Sequence, residues 1–238
     1  MKNNFTILST KILKPYIKDQ LADNDFNVVE YDFIKIENAD LSGVKEILLT
    51  QPPNYIFTSK NAVKAFANYI AAHKIKIDKK SNFFALSGET QQALADEGYK
   101  VLITKDNATA LANEIISMSN EKQFVFFCGD KRRNELPDVI INAGLQLTEV
   151  VLYKTISQPK KIDLAYQAIL FFSPSTIKSF FEENVLVTSV QCFCIGHTTE
   201  NALNQYKIKN KIKAISYPSQ QVMIDEVLHY FKTTNLIF

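Results

Sequence analysis

The stretch Ile56-Phe-Thr-Ser-Lys-Asn-Ala-Val-Lys-Ala-Phe66 passes from an apolar run through a hydroxyl-bearing turn into apolar residues spaced by three and four. It returns 114 residues later as Leu170-Phe-Phe-Ser-Pro-Ser-Thr-Ile-Lys-Ser-Phe180. A short apolar run, a Ser or Thr, and then helical periodicity read as strand, N-cap and helix. The same alternation fills the chain. Strands are expected at 5–9, 28–36, 55–58, 83–87, 101–104, 124–128, 147–156, 169–172, 191–195 and 213–216, with helical patterns such as 61–72, 90–97, 108–118 and 221–232 between them. Strands apolar throughout and joined by helices imply parallel sheets covered on both faces, so the chain is α/β.

Ten strands suggest two sheets of about five, and further internal matches support this. Phe5-Thr-Ile-Leu-Ser-Thr aligns with Phe124-Val-Phe-Phe-Cys-Gly at an offset of 119, which also lays Val28-Val-Glu-Tyr-Asp-Phe over Leu147-Thr-Glu-Val-Val-Leu. Leu86-Ser-Gly-Glu-Thr aligns with Cys194-Ile-Gly-His-Thr at 108. The opening strand–helix–strand unit thus recurs after the Ile56 block rather than before it. An economical arrangement joins residues 1–34 with 157–238 as one domain and makes 35–156 the other. The chain then crosses twice, near 34–40 and 153–160, with Gln158-Pro159-Lys160-Lys161 as a connector. Periodicity alone also allows a sequential split near residue 120.

The 238 residues are 46% hydrophobic and 22% charged, enough to bury a core without disulfide or metal support. The six glycines stand no closer than Gly88 and Gly98, so neither a dinucleotide G-x-G-x-x-G nor a Walker loop can be written. Cys128, Cys192 and Cys194 read as reduced, buried thiols of a cytoplasmic protein; the last two alternate along a strand and are expected on opposite faces of a sheet. The three histidines form no zinc pattern, so no metal is expected. The apolar stretch before Lys11 is too short for a secretory signal, and no run approaches a membrane span. A net charge of +2 gives no case for nucleic acid.

Three kinds of loop stand where ligands of open α/β sheets bind, at strand carboxyl ends. Thr58-Ser59-Lys60-Asn61 and its repeat Ser173-Pro174-Ser175-Thr176 offer hydroxyls and free amides at helix starts, suited to carboxylate or phosphate; each also reads as a plain N-cap. Gly88-Glu89-Thr90 and Gly196-His197-Thr198-Thr199 combine close backbone approach with a hydroxyl, or are simple strand-to-helix turns. Gly129-Asp130-Lys131-Arg132-Arg133 is a basic helix start or a solvated face. Tyr153 closes the apolar run Val150-Val-Leu-Tyr beside the expected crossing, and a neutral phenol there is a hydrogen-bond donor or weak general acid.

Taken in order, Ile56-Phe-Thr-Ser-Lys-Asn-Ala-Val, Gly88-Glu-Thr-Gln-Gln-Ala-Leu, Cys128-Gly-Asp-Lys-Arg-Arg-Asn-Glu-Leu-Pro, Val150-Val-Leu-Tyr-Lys-Thr, Phe171-Phe-Ser-Pro-Ser-Thr and Ile195-Gly-His-Thr-Thr-Glu-Asn-Ala-Leu resemble uroporphyrinogen-III synthases over most of the chain. One departure is Thr10-Lys11, where the family usually has Thr-Arg; Lys11 meets a carboxylate without the bidentate fork of Arg. The resemblance implies two flavodoxin-like α/β domains on a two-stranded connector, with the active-site cleft between them. It implies the substrate hydroxymethylbilane, a polyanionic linear tetrapyrrole. The reaction is cofactor-free: the terminal hydroxyl leaves as water and the macrocycle closes with ring D inverted, through a spiro intermediate.

By the same resemblance Tyr153, Thr198 and Thr199 are the catalytic candidates. Thr58, Ser59, Lys60, Asn61, Gly88, Thr90, Gly129, Arg133, Ser173, Ser175, Gly196, His197 and Lys11 are the substrate-binding ones. Helix starts can hold many carboxylates without a dense basic patch, which suits a near-neutral protein. The bilane also closes spontaneously to the non-inverted isomer, so the catalyst chiefly controls geometry. A cytoplasmic monomer with no nucleic-acid or membrane partner is expected, in transient contact at most with the preceding pathway enzyme. The rival reading is a two-lobed, non-catalytic binder of an anionic small molecule. A response-regulator-like pair is disfavoured, because no strand ends in a clustered acidic pocket for magnesium.

Overall fold

The computed structural model describes residues 5–78, 80–118, 122–208, 212–214 and 219–234. In chain order the elements are β1 (Phe5–Ser9), α1 (Pro15–Ala22), β2 (Phe26–Glu30), β3 (Ile34–Asn38), α2 (Val44–Leu49), β4 (Asn54–Phe57), α3 (Lys60–Ala72), β5 (Asn82–Leu86), α4 (Glu89–Asp96) and β6 (Val101–Lys105). They continue as α5 (Ala108–Met118), β7 (Gln123–Gly129), α6 (Glu135–Asn142), β8 (Gln146–Ser157), β9 (Ala168–Phe171), α7 (Pro174–Glu183), β10 (Gln191–Cys194), α8 (His197–Asn204), β11 (Ile212–Ala214) and α9 (Gln220–Thr233). The last expected strand, 213–216, runs past the described residues at 215 and 216.

The chain divides into two compact units, Met1–Lys35 with Ile156–Phe238, and Ile36–Thr155. One five-stranded sheet has the order β11-β10-β9-β1-β2, and one six-stranded sheet the order β3-β8-β7-β4-β5-β6. The neighbours in the first sheet pair in parallel, as do β8, β7, β4, β5 and β6 in the second. The edge pair β3–β8 is antiparallel, for Phe33 meets Gln158 and Ala39 meets Leu152, one number rising as the other falls.

The sequence matches explain the two orders. An offset of 119 carries β1 and β2 onto β7 and β8, while offsets of 114 and 108 carry β4 onto β9 and β5 onto β10. Read outward, β2-β1-β9-β10-β11 and β8-β7-β4-β5-β6 are then the same sheet, entered by the chain at a different strand. The second is a circular permutation of the first, with β3 added at its edge. The shared order is the flavodoxin-like one, whose direction of winding reverses between two central strands: β1 and β9 in one sheet, β7 and β4 in the other.

Both faces of each sheet are covered, as parallel strands require. In the second sheet Tyr55, Phe57, Phe83, Val125 and Phe127 point to one side, against α3 and α4 through Phe66 and Leu94. Ile56, Phe84, Phe124 and Phe126 point to the other, against α5 and α6 through Ile115 and Ile140. In the first sheet Ile7, Ala168, Leu170 and Phe193 meet α1 and α9, while Leu8, Ile169 and Phe171 meet α7 and α8.

Two expectations are corrected. Cys192 and Cys194 share one face, as residues two apart on a strand must, and Phe193 lies on the other. The single strand at 28–36 is two strands in two sheets. The chain breaks at residues 31–33, where Glu30 accepts from the Leu13 amide at 3.0 Å, Asp32 accepts from the Ile12 amide at 3.1 Å, and Phe33 turns fully into the core.

Candidate functional site

β8, β7, β4 and β5 are parallel neighbours, so their carboxyl ends bring Tyr153, Gly129, residues 58–61 and residues 88–90 to one edge of the second sheet. The reversal in winding lies between β7 and β4, where ligands of such sheets sit. The register of β7 against β8 pairs Phe127 with Val150 and Cys128 with Val151, but Gly129 with Tyr153. Leu152 is therefore an extra residue. A bulge of this kind re-aims the side chain that follows it. Val150, Leu152 and the ring of Tyr153 all serve the same core face.

The Tyr153 ring lies over Gly129, where a Cβ would fall 2.7 Å from the phenol oxygen and nearer still to the ring carbons. Its hydroxyl is 3.0 Å from Ser59 Oγ. Ser59 is the N-cap of α3 and accepts from the Asn61 amide at 3.1 Å. The backbone holds the same corner together: the Asp130 amide donates to the Tyr153 carbonyl at 3.0 Å, and the Thr155 amide to Asp130 Oδ1 at 2.8 Å. Burial raises the Tyr153 phenol above its usual 10.0; hydrogen bonds from the Ser59 and Asn61 side chains oppose this, while Cys128 and Asp130 add to it. The phenol is thus neutral and protonated at physiological pH.

Next along the edge, Lys60 Nζ is 2.6 Å from Glu89 Oε1, tying the β4 loop to the first turn of α4. Gly88 takes a left-handed φ of 76° at the N-cap of α4, and Thr90 is buried in its first turn. Arg133 lies in the loop before α6, pairing with Glu135 at 2.9 Å. Arg132, named in the sequence only as part of the basic helix start, pairs with Glu149 and donates to Asn134, holding the loop after β7.

In the first sheet the ends of β1, β9 and β10 are likewise adjacent. Buried Thr10 donates through Oγ1 to the Leu170 carbonyl at 2.7 Å, and Lys11 Nζ is 5.9 Å from the centre of the Phe172 ring. Ser173 and Thr176 form a capping box at α7, each side chain accepting from the other's amide at 3.2 Å, and Ser175 is half-buried in its first turn. Gly196 is extended, with nothing within 4 Å of where a Cβ would be, so neither conformation nor crowding calls for glycine. His197 is exposed and 3.1 Å from Glu200; Thr198 is exposed, and Thr199 is buried.

Sequence reasoning missed Asp130 as the clamp on β8 and Leu152 as the bulge. The bulge shows only once β7 and β8 are put in register, and the Asp130 contact only once the Thr155 amide is seen beside it. Among the described residues no three His, Cys, Asp or Glu side chains are grouped to hold a metal, and no helix is long and apolar enough to cross a membrane. Burial pushes the thiol of Cys128 up to about 11 and that of Cys192 to about 12, and raises that of Cys194 too, so all three are inert. A cavity of about 550 Å³ lined by Phe181, Val185, Tyr206 and Ile208 lies at the far ends of α7 and α8, away from these loops.

Uroporphyrinogen-III synthases are among the solved structures similar to this chain. The enzyme from Helicobacter pylori superposes with a TM-score of 0.69 at 18% identity, over 95% of this chain and 99% of that one. A mutant enzyme from Thermus thermophilus gives 0.68 at 13% identity, over 98% and 99%. No curated protein sequence matches the chain. The family described as HEM4, uroporphyrinogen-III synthase HemD, matches residues 16–224. Nearly the whole chain falls within that match, and it belongs to the uroporphyrinogen-III synthase family, the cofactor-independent cyclising lyases of haem biosynthesis.

Proposed function

We propose that, in converting hydroxymethylbilane to uroporphyrinogen III, this chain uses Tyr153 as the donor to the departing hydroxyl. The carbon–oxygen bond breaks with its electron pair going to oxygen, the phenol proton completes a water molecule, and the adjacent pyrrole nitrogen supplies electrons to the carbon left behind. Ring closure with ring D inverted follows, and the proton released from the ring carbon that closes the macrocycle returns to the phenolate. The observation that carries this reading is the Tyr153 hydroxyl, neutral and partnered by Ser59, at the winding reversal of the second sheet. A phenol kept protonated by burial is a competent donor across the neutral range.

The carboxylates of the bilane are assigned to the helix starts and cations of both sheets: Thr58, Lys60, Asn61, Gly88, Thr90 and Arg133 in one, Lys11, Ser173, Ser175, Gly196 and His197 in the other. The open space at Gly196 supports close approach of substrate to the backbone. Exposed Thr198 is the member of its pair that contacts substrate, while buried Thr199 anchors α8. We place the protein in the cytoplasm as a monomer that takes its unstable substrate from the preceding enzyme.

The experiment adds purified protein to fresh hydroxymethylbilane, oxidises the products and separates the porphyrin isomers. Isomer III in excess of the protein-free control is expected, with kcat reduced roughly a hundredfold in Tyr153→Phe. Wild-type kcat in folded Tyr153→Phe removes Tyr153 from the chemistry. Isomer I alone from the folded wild type points instead to a binder.

A further inference from the structure

We propose that Ser59 and Gly129 are positioning residues for Tyr153 rather than contacts for substrate carboxylates, an inference that rests on the role given to Tyr153 above. Ser59 Oγ is already committed on two sides: it accepts from the Asn61 amide at 3.1 Å and faces the phenol oxygen at 3.0 Å. The helix it caps is fixed by fully or almost fully buried Ala62, Val63 and Phe66, so the hydroxyl is held in place by the core rather than by solvent. The 3.0 Å contact accommodates either direction, and we take Ser59 as the donor, its hydroxyl keeping its proton while the Asn61 amide occupies one lone pair. The phenol's own proton is then directed away from Ser59, free for a reacting group. The same bond stabilises the negative charge that develops on the phenol oxygen as that proton leaves.

Gly129 acts by what it lacks. Gly43, Gly98 and Gly144 have φ near +80° with open space around them, so their glycines serve the backbone. Gly129 has no such conformation, and the space its side chain would fill is taken by the Tyr153 ring. A methyl there displaces the ring, because the ring is the movable partner and β7 is the buried strand. The bulge at Leu152 aims Tyr153 onto this bare backbone, and Ser59 stops it at one hydrogen-bond length. The three features converge on a single placement of the phenol.

The test measures kcat and KM with hydroxymethylbilane, together with melting temperature, for Ser59→Ala, Ser59→Thr and Gly129→Ala. Each is made in the wild type and in Tyr153→Phe. In the wild type, Ser59→Ala is expected to lower kcat roughly five- to tenfold, the worth of one hydrogen bond, with KM within twofold. Ser59→Thr, which keeps cap and hydroxyl, recovers most of the rate. Gly129→Ala is expected to lower kcat about as far as Tyr153→Phe does. In the Tyr153→Phe background neither Ser59→Ala nor Gly129→Ala costs anything further. An equal loss in both backgrounds, or a raised KM at unchanged kcat, overturns the proposal, the latter restoring Ser59 to carboxylate binding. If Gly129→Ala does not fold, the Ser59 pair decides alone. A Tyr153→Phe enzyme with wild-type kcat marks failure of the underlying reading instead.

Discussion

Ser173 is asked to do two things, cap α7 and meet a carboxylate, and substitution separates them. In Ser173→Ala the Thr176 amide loses its acceptor and the capping box opens, which costs about 1 kcal/mol. The helix survives, since Ile177 and Phe180 are fully buried and Phe180 packs on Phe33 and Phe171. Ser173→Asp restores an N-cap of equal quality and with it the lost stability. It also places a negative charge among the substrate's carboxylates. Two like charges 4 Å apart in water repel by about 1 kcal/mol, a factor of about five in affinity. Urea denaturation and initial rates of isomer III formation read the two effects independently. Ser173→Ala should melt early with nearly normal KM, and Ser173→Asp should melt normally with KM raised about fivefold. A Ser173→Asp enzyme with wild-type KM at low salt removes this loop from substrate contact. An Ala variant as stable as the wild type refutes the capping argument.

Turnover should hold flat through neutral pH and fall only above pH 10, because burial lifts the Tyr153 phenol above that ordinary value; the pH–rate profile checks it. Lys60→Met should change stability by less than about 1 kcal/mol, since the Lys60–Glu89 pair is partly exposed, yet raise KM. Phe127 is fully buried among Tyr55, Phe57 and Phe66 with ring centres 5.0 to 5.9 Å away, so Phe127→Ala should cost about 4 kcal/mol by urea melting. Burial lifts the Tyr55 phenol from 10.0 to about 12, so the folded chain keeps a proton that the unfolded chain sheds above pH 10. That stability is intact below pH 10 and about 3 kcal/mol of it is lost as pH climbs through 12, a loss that Tyr55→Phe should lack.

The parallel sheets were legible because their strands are apolar on both faces, as in Asn54-Tyr55-Ile56-Phe57, and because the chain repeats itself. The break after β2 was not, since it depends on the Leu13 and Ile12 amides reaching side chains 17 and 20 residues away. Candidate site loops were recognisable by type, as hydroxyls and glycines at helix starts. Their partners were not: Ser59 and Tyr153 lie 94 residues apart, and only a one-residue bulge brings them within 3.0 Å. In the sequence Gly129 reads as the head of a basic helix start and as a substrate-binding candidate. Its meaning is steric, set by a ring on the neighbouring strand that no local pattern mentions.

The permuted strand order also bears on how the chain reaches its native state during synthesis. Ile36–Thr155 is one continuous segment, and its two ends already meet where the Ala39 amide bonds the Leu152 carbonyl at 3.1 Å. All its sheet partners emerge from the ribosome before residue 158. The other unit must wait, for β1 pairs with β9 at Ile7 and Ala168, across a gap that contains the whole intervening unit. While that unit is unfolded, the gap is a loop of more than 150 residues to be closed. Once it has folded, its neighbouring ends turn the gap into a short tether, and late pairing of β1 with β9 becomes nearly local. Folding of the inserted segment first would reduce that closure to the length of the tether.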